Sequence, residues 1–390
     1  MRKFLALFML LFVSMNASAE LVEAEADAPA PVLTSEAAVL MDTQSGAILF
    51  GKNEETKMYP ASLTKIATAI YAIETADLDE QVIVSEEIEN IDGTRVYLNP
   101  GEQVSLKKLV QGMLINSGND AALAIAIHLD GSLESYSENI NKFLETNIGI
   151  EDTHFINPHG LFDENHYTTA KDLGMIVNYA INNPDFREIF GTKELEWDGE
   201  SWDTTILSHH RMLKGEIPYE GVTGGKTGFV DQSKQTLATT ADNGKLKLTA
   251  ILLKSEYKRK IYEDTSKLFD FGFANFHSVQ IRKGEKFNSG NLKFKAGDDM
   301  YLTEPNGQSE RVVDDGGVLR VENGSGETIH SVELKPLIEK KPEVKKTTEQ
   351  PEQSGMLSMN TLLGAALFIL AAIAWVLNRK QKKKRRIRSR

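Results

Sequence analysis

Ser62 and Lys65 stand three residues apart in the stretch YPASLTKIAT, Tyr59 to Thr68, where a proline gives way to apolar residues at Leu63, Ile66, Ala67, Ile70 and Ile73. That spacing is helical with one buried face, and Pro60 suits a chain entering its first turn. Residues i and i+3 are neighbours on a helix surface, which holds the hydroxyl and the amine side by side. Such a pair can be a nucleophile with its base. It can equally be a helix start followed by a solvated lysine. The same Ser-x-x-Lys spacing recurs at Ser105–Lys108 and Ser255–Lys258, Ser105 reading as a helix N-cap and Ser255 as a strand end. Ser117-Gly118-Asn119 likewise has a counterpart in Ser289-Gly290-Asn291, whereas Lys226-Thr227-Gly228 occurs once. His154, His159 and His166 lie close in sequence without metal-ligand spacing and read as structural or surface residues. No metal and no cofactor is expected.

The elements that must position these groups follow from pattern. Ala37 to Met41 and Ala47 to Phe50 flank Asp42-Thr43-Gln44-Ser45-Gly46, a hairpin signal. Helical spacing dominates from Leu63 to about Phe190, including Leu106 to Ile115 behind Ser105 and Asp120 to Leu129, with Ser117-Gly118-Asn119 as their connection. Strand patterns return at Gly225 to Val230, Thr236 to Ala241 and Leu246 to Lys254, with Asp242-Asn243-Gly244 as a tight turn. A helix from Tyr257 to Phe271 closes the domain. Strands from both ends of the sequence with helices between them predict an α/β (α+β) sandwich around an antiparallel sheet. From His277 to Leu334, alternating pairs such as Val279/Ile281 and Leu319/Val321 between glycine-rich turns predict a small all-β domain.

The ends carry address and anchor signals. Arg2 and Lys3 precede the apolar run Phe4 to Val13, and Ala17-Ser18-Ala19 supplies small residues for cleavage, the pattern of a secretory signal peptide. Met356 to Leu377 is uncharged and long enough as a helix to cross a bilayer, and the basic stretch from Arg379 to Arg390 places the tail in the cytoplasm by the positive-inside rule. The expected organisation is signal peptide 1–19, flexible leader 20–34, catalytic domain 35–275, all-β domain 276–335, Pro/Lys/Glu linker 336–355, transmembrane helix 356–377 and basic tail 378–390. The body then lies outside the cell membrane, on the cell-wall side. With the two basic residues of the signal and the nine of the tail set aside, 33 basic residues face 56 acidic ones, a charge of −23 hidden within the chain's −12. That excess argues against a nucleic-acid or anionic-lipid partner for the exported part. Cysteine is absent, which excludes disulfides, thiolate metal sites and a thiol nucleophile.

Taken together and in order, Ser62-Leu63-Thr64-Lys65, Ser117-Gly118-Asn119 and Lys226-Thr227-Gly228 form the signature triplet of penicillin-recognising serine acyl-transferases. The surrounding stretches MYPASLTKIATA, LINSGNDAALAIA, NPHGLFDENHYTTAKDL and GVTGGKTGFVDQSKQTLATTA resemble the D-alanyl-D-alanine carboxypeptidases. These are the low-molecular-mass penicillin-binding proteins of the serine β-lactamase/transpeptidase-like superfamily. The resemblance covers about Pro31 to Leu334 and extends to the small β domain.

The resemblance implies an enzyme that attacks the penultimate D-alanine of a peptidoglycan stem pentapeptide with Ser62, releases D-alanine and hydrolyses the acyl-enzyme. β-Lactams would acylate the same serine. Lys65 would be the base, its pKa lowered by burial and by a nearby cation such as Lys226. Ser117 would pass the proton to the leaving group and Asn119 would hold the substrate amide. Lys226 and Thr227 would bind the terminal carboxylate, Gly228 would let the peptide lie along the strand, and the amides of Ser62 and Phe229 would be the oxyanion donors. Strict alternation sets Thr227 on the face opposite Lys226, so its role rests on the resemblance alone. One departure stands out: where relatives carry an arginine ahead of the Gly272-Phe273 stretch this chain has Ile261, with Arg259 and Lys260 just before it. A D,D-endopeptidase or transpeptidase of the same fold, and an inactive wall-binding scaffold, are the alternatives.

Overall fold

The structure, a computed structural model, describes residues 28–337 and, further on, Leu367, 369–376 and Arg379. The chain divides into two units, 1–337 and 338–390. The expected signal peptide, the linker beyond 337 and the basic tail except Arg379 lie outside the described residues.

Strands β1 (Ala37–Asp42) and β2 (Ile48–Lys52) make the expected hairpin. Helix α1 (Thr64–Thr75) follows a short 3-10 turn, Ala61–Leu63. Two short strands, β3 (Gln81–Ile83) and β4 (Gln103–Ser105), pair before helix α2 (Leu106–Ile115). Helices α3 (Asn119–Asp130), α4 (Leu133–Phe143), α5 (Ala170–Ala180) and α6 (Pro184–Phe190) complete the helical half. A further hairpin, β5 (Glu194–Asp198) with β6 (Asp203–Leu207), precedes the long strands β7 (Val222–Val230), β8 (Lys234–Asp242) and β9 (Lys247–Ser255). Helix α7 (Lys258–Asn275) comes last. The main sheet is antiparallel in the order β2-β1-β9-β8-β7, so β1, early in the chain, pairs with β9, which follows the helices.

Every residue of β1 is buried because the sheet is covered on both faces. Its alternation divides two cores: Ala37, Val39 and Met41 join the helical bundle with α1 and α5, while Ala38 and Leu40 pack with Leu268 and Phe269 of α7. Each fully buried Leu, Ile or Phe contributes about 1.5–3 kcal/mol. A shift of one residue in β1 would exchange the two sets. Helix α1 departs from the expected single buried face. It is buried on all sides from Thr64 to Ala72, because α2, α3, α4, α5 and α6 all pack against it. Lys65 is therefore a core residue. The hairpins β3–β4 and β5–β6 fall within or just beyond a stretch that reads as helical. Their strands are three and five residues long, and in β5 and β6 only Trp197 and Ile206 are buried, too little for an alternation signal.

Beyond α7, strands between Phe276 and Pro336 enclose a separate small core of Ile281, Phe294, Ala296, Leu302, Leu319, Val321 and Leu334. Asp42 at the end of β1 ties this layer to the main sheet, accepting from Ser278 Oγ and Thr303 Oγ1 at 2.5 and 2.7 Å.

In the second unit, Leu367 and 369–376 are helical with exposed side chains. Among the described residues no helix is long and apolar enough to cross a membrane. Most of the expected spanning segment 356–377 lies outside the described residues.

Candidate active site

Ser62 occupies the middle of the 3-10 turn that leads into α1, so its amide and the helix start lie together. The turn is held from three sides. Ala61, at φ +49°, takes a left-handed conformation that a residue with a Cβ rarely adopts. Its carbonyl accepts from Thr64 Oγ1 at 3.0 Å. Ile156 N donates to His166 Nδ1, which leaves the proton on Nε2 to reach Thr64 Oγ1 at 2.8 Å. Thr236 Oγ1 of β8 donates to the Pro60 carbonyl at 2.9 Å. Gly160, at φ +81°, presses on the same turn so closely that a Cβ would lie 1.9 Å from the Ala61 oxygen. Strain of this kind, about 1–3 kcal/mol per residue, persists only where the surroundings over-determine it.

Lys65 Nζ lies 3.2 Å from Ser62 Oγ, 2.7 Å from Asn119 Oδ1 and 2.8 Å from the His159 carbonyl. Its side chain is fully buried. Burial, and then the neighbouring Lys226, hold its pKa well below the ordinary lysine value, while Asp120 opposes them. Leaving such a site charged without full compensation would be costly, and burial therefore favours the neutral amine.

Ser117 sits in the α2–α3 connection at φ +64°, a second strained residue. Its Oγ accepts from Lys226 Nζ at 2.9 Å, and Lys226 also reaches the Thr227 carbonyl at 3.1 Å. Burial lowers the Lys226 pKa to about 7. Asn119 opens α3 and spans the site, offering Oδ1 to Lys65 while Nδ2 donates to the Asp92 carbonyl at 2.6 Å. The sequence-predicted Ser62, Lys65, Ser117, Asn119 and Lys226 are thus linked in two short chains of contacts, from three separate stretches of sequence.

A cleft of about 290 Å³ opens beside them, lined among others by Ser62, Ser117, Thr227, Gly228 and Phe229. Thr227 lines this cleft, whereas Lys226 is buried behind it and touches the lining through Ser117 Oγ. β7 is the outer strand of the sheet, and its consecutive residues Thr227, Gly228 and Phe229 line the cleft. Gly228 is required by close approach: a Cβ there would stand 2.9 Å from Ser62 N and 2.4 Å from Thr236 Oγ1. The backbone of β7 therefore runs directly past the Ser62 amide.

Several contributors were not singled out by sequence. The His159 carbonyl and the His166–Thr64 pair brace the serine and lysine, and burial pushes both imidazoles down to about 3, keeping them neutral. The stretch NPHGLFDENHYTTAKDL carried them, but nothing in residue type separates a backbone acceptor from any other. Lys258 and His209 also line the cleft. Lys258 belongs to the third Ser-x-x-Lys match, in which Ser255 reads as a strand end and the lysine has no assigned role. Arg259 points away, 85% exposed and 3.1 Å from Glu263, and Lys260 pairs with the same carboxylate at 2.7 Å. Ile261 is buried and forms cleft wall. Of the other repeats, Ser105 caps α2 by accepting from Lys108 N at 3.3 Å, and Lys108 is engaged with Asp198.

Residues 23–256 match the family described as D-alanyl-D-alanine carboxypeptidase. The D-alanyl-D-alanine carboxypeptidase DacA of Haemophilus influenzae is 31% identical over 313 residues, covering 72% of this chain and 75% of the relative. DacF of Bacillus subtilis, also a D-alanyl-D-alanine carboxypeptidase, is 28% identical and covers 69% of each chain. Among solved structures, penicillin binding protein 5 from Haemophilus influenzae superposes with a TM-score of 0.70 at 26% identity, covering 80% of this chain and 98% of that one.

Proposed function

The chain belongs to the D-alanyl-D-alanine carboxypeptidase family, and from that premise we propose that it removes the terminal D-alanine of peptidoglycan stem pentapeptides through an acyl-enzyme on Ser62. The observation that carries this reading is the environment of Lys65. A neutral amine has two hydrogens and one lone pair. Asn119 Oδ1 and the His159 carbonyl, at 2.7 and 2.8 Å, can only accept and so take the two hydrogens. The lone pair is left for the third neighbour, the Ser62 hydroxyl at 3.2 Å.

In the forward step, Lys65 accepts the Ser62 proton as Oγ attacks the carbonyl carbon of the penultimate D-alanine. The negative charge that develops on the carbonyl oxygen is met by the amides of Ser62 and Phe229, a reading supported by the close passage of Gly228, the residue before Phe229, beside Ser62 N. Ser117, between Lys226 and the cleft, donates a proton to the departing D-alanine nitrogen as the C–N bond breaks, and is reprotonated from the lysine pair. Water then attacks the ester and Ser62 leaves, regenerating the site. Asn119 holds the stem amide, Gly228 admits its backbone alongside β7, and Lys226 with Thr227 binds the terminal carboxylate. A β-lactam enters the same route with its ring amide as the scissile bond.

The same reading assigns residues 35–275 to catalysis and 276–335 to the small β domain. Residues 1–19 are a removable signal, 356–377 the membrane anchor beyond the 336–355 linker, and 378–390 a cytoplasmic tail. Mass spectrometry after exposure to penicillin tests the chemistry. One adduct mapping to Ser62, lost together with D-alanine release in Ser62→Ala, is expected; an adduct at Ser105 or Ser255 would refute the assignment. Deleting 356–390 should release an active protein from the membrane fraction.

A further inference from the structure

Tyr97 is more than half exposed although its backbone is held at φ +60°, a conformation that is a true outlier for a bulky residue. The hold is elaborate. The buried carboxylate of Asp120 accepts from Val96 N at 3.0 Å and from Leu98 N at 3.2 Å, gripping the chain on either side. Ser201 Oγ donates to the Tyr97 carbonyl at 2.5 Å. The ring is thrust outward and meets Trp202 edge-on, with centroids 4.9 Å apart at 83°. Beneath it lies a second cavity of about 260 Å³, whose polar lining includes Glu89, Arg95, Asn99 and Ser201. Arg95 donates to the Glu89 carbonyl but forms no ion pair among the described residues.

This cavity borders the catalytic cleft. Thr94 lines the cleft and its carbonyl accepts from Asn119 N at 2.7 Å, while Arg95 and Tyr97 of the same loop line the cavity. Three residues of chain span about 10 Å at most. Asp120, which holds the loop, directly follows Asn119. Resting on the carboxypeptidase reading, we infer that the cavity is a saccharide subsite, taking a sugar ring of the glycan strand that carries the scissile stem. A sugar presents an apolar face of C–H groups and a rim of hydroxyl and amide groups. The exposed Tyr97 ring offers a face for the former, and Arg95, Asn99 and Glu89 offer donors and acceptors for the latter. Strain held by a dedicated carboxylate is what a presented ligand contact requires and a surface loop does not.

The test compares D-alanine release by the full-length protein from a disaccharide-pentapeptide and from the same pentapeptide without sugar. Tyr97→Asn keeps a residue that tolerates the left-handed backbone, and Arg95→Ala removes the free cation. Each should raise KM for the disaccharide substrate about tenfold while leaving kcat, and both constants on the bare pentapeptide, within about twofold. Tyr97→Phe should behave as wild type. An equal loss on both substrates would overturn the inference, since the loop would then merely support Asn119; so would no loss on either. Wild-type protein inactive on both would refute the carboxypeptidase reading itself, and this subsite with it.

Discussion

Lys65 Nζ stands 3.2 Å from Ser62 Oγ while its two closer contacts, Asn119 Oδ1 and the His159 carbonyl, are pure acceptors. Lys65 is embedded in a helix buried on all sides from Thr64 to Ala72, so a permanent charge at position 65 has no solvent to stabilise it. Lys65→Arg keeps charge and approximate length but cannot lose its proton. It should acylate with penicillin as poorly as Lys65→Ala, down by about 10²–10⁴-fold, the range for loss of a positioned base. Lys226→Arg should be milder, because there a cation is asked to bind a carboxylate. Acylation rates for the variants side by side decide it; a Lys65→Arg rate near wild type would mean that the proton leaves by another route.

Gly228→Ala tests the approach of β7 to the nucleophile. The added Cβ would meet Thr236 Oγ1 at 2.4 Å and Ser62 N at 2.9 Å, separations that real Cβ atoms do not tolerate. The strand must retreat from Ser62, carrying the Phe229 amide with it. Loss of an oxyanion donor alone costs about 10²–10³-fold in kcat. Peptide hydrolysis should fall by at least that much, while thermal unfolding shifts by only a few degrees. Unchanged kcat would show that the backbone at 228 does not shape the oxyanion site.

The three buried histidines His159, His166 and His210 have pKa values pushed down to about 3, in each case chiefly by burial. The unfolded chain titrates them near 6.5, so between 6.5 and 3 it binds more protons than the folded one. Stability is therefore fully present above 6.5 and drains away as pH falls toward 3, at up to about 1.4 kcal/mol per unit per histidine. Denaturant midpoints measured from pH 7 to pH 4 should decline steadily, and His210→Asn should flatten part of the slope. A midpoint independent of pH over that range would contradict the buried neutral state.

Much of this was legible in the sequence because the informative residues were constrained in type. Ser62, Lys65, Ser117, Asn119 and Lys226 fall in three short motifs whose order and spacing are legible along the chain, and the fold brings them together. The strands β7, β8 and β9 and the helix α2 were readable from period and turns. What escaped depends on three-dimensional accidents of packing. The burial of α1 on every side comes from five other helices, none of which is visible from α1 itself. The His159 contribution is a backbone carbonyl, which every residue has. Lys258 was hidden for the opposite reason: it matched a pattern, but a pattern whose other members are a helix cap and the Ser62–Lys65 contact.

Lys258 bears on the departure at Ile261. The position where relatives carry an arginine is here a buried apolar wall residue, and Arg259, the neighbouring cation of the same kind, is bound to Glu263 outside the cleft. Lys258, the first residue of α7, lines the cleft and has no ion-pair partner among the described residues. Of Lys258, Arg259 and Lys260, it is Lys258 that lines the cleft, and a substrate carboxylate bound there would meet it first. Because this lysine is exposed, its pull is that of a solvated ion pair, about 1 kcal/mol or less, which converts to roughly a fivefold effect. Lys258→Ala should raise KM about fivefold for a stem peptide ending in a free carboxylate, weaken further in low salt relative to wild type, and leave a C-terminally amidated peptide unaffected. Arg259→Ala should change neither. Steady-state kinetics on the paired substrates separate the two residues: a loss confined to Arg259→Ala would transfer the role to that guanidinium, and equal losses on both peptides in Lys258→Ala would show that the lysine supports the cleft wall and does not read the carboxylate.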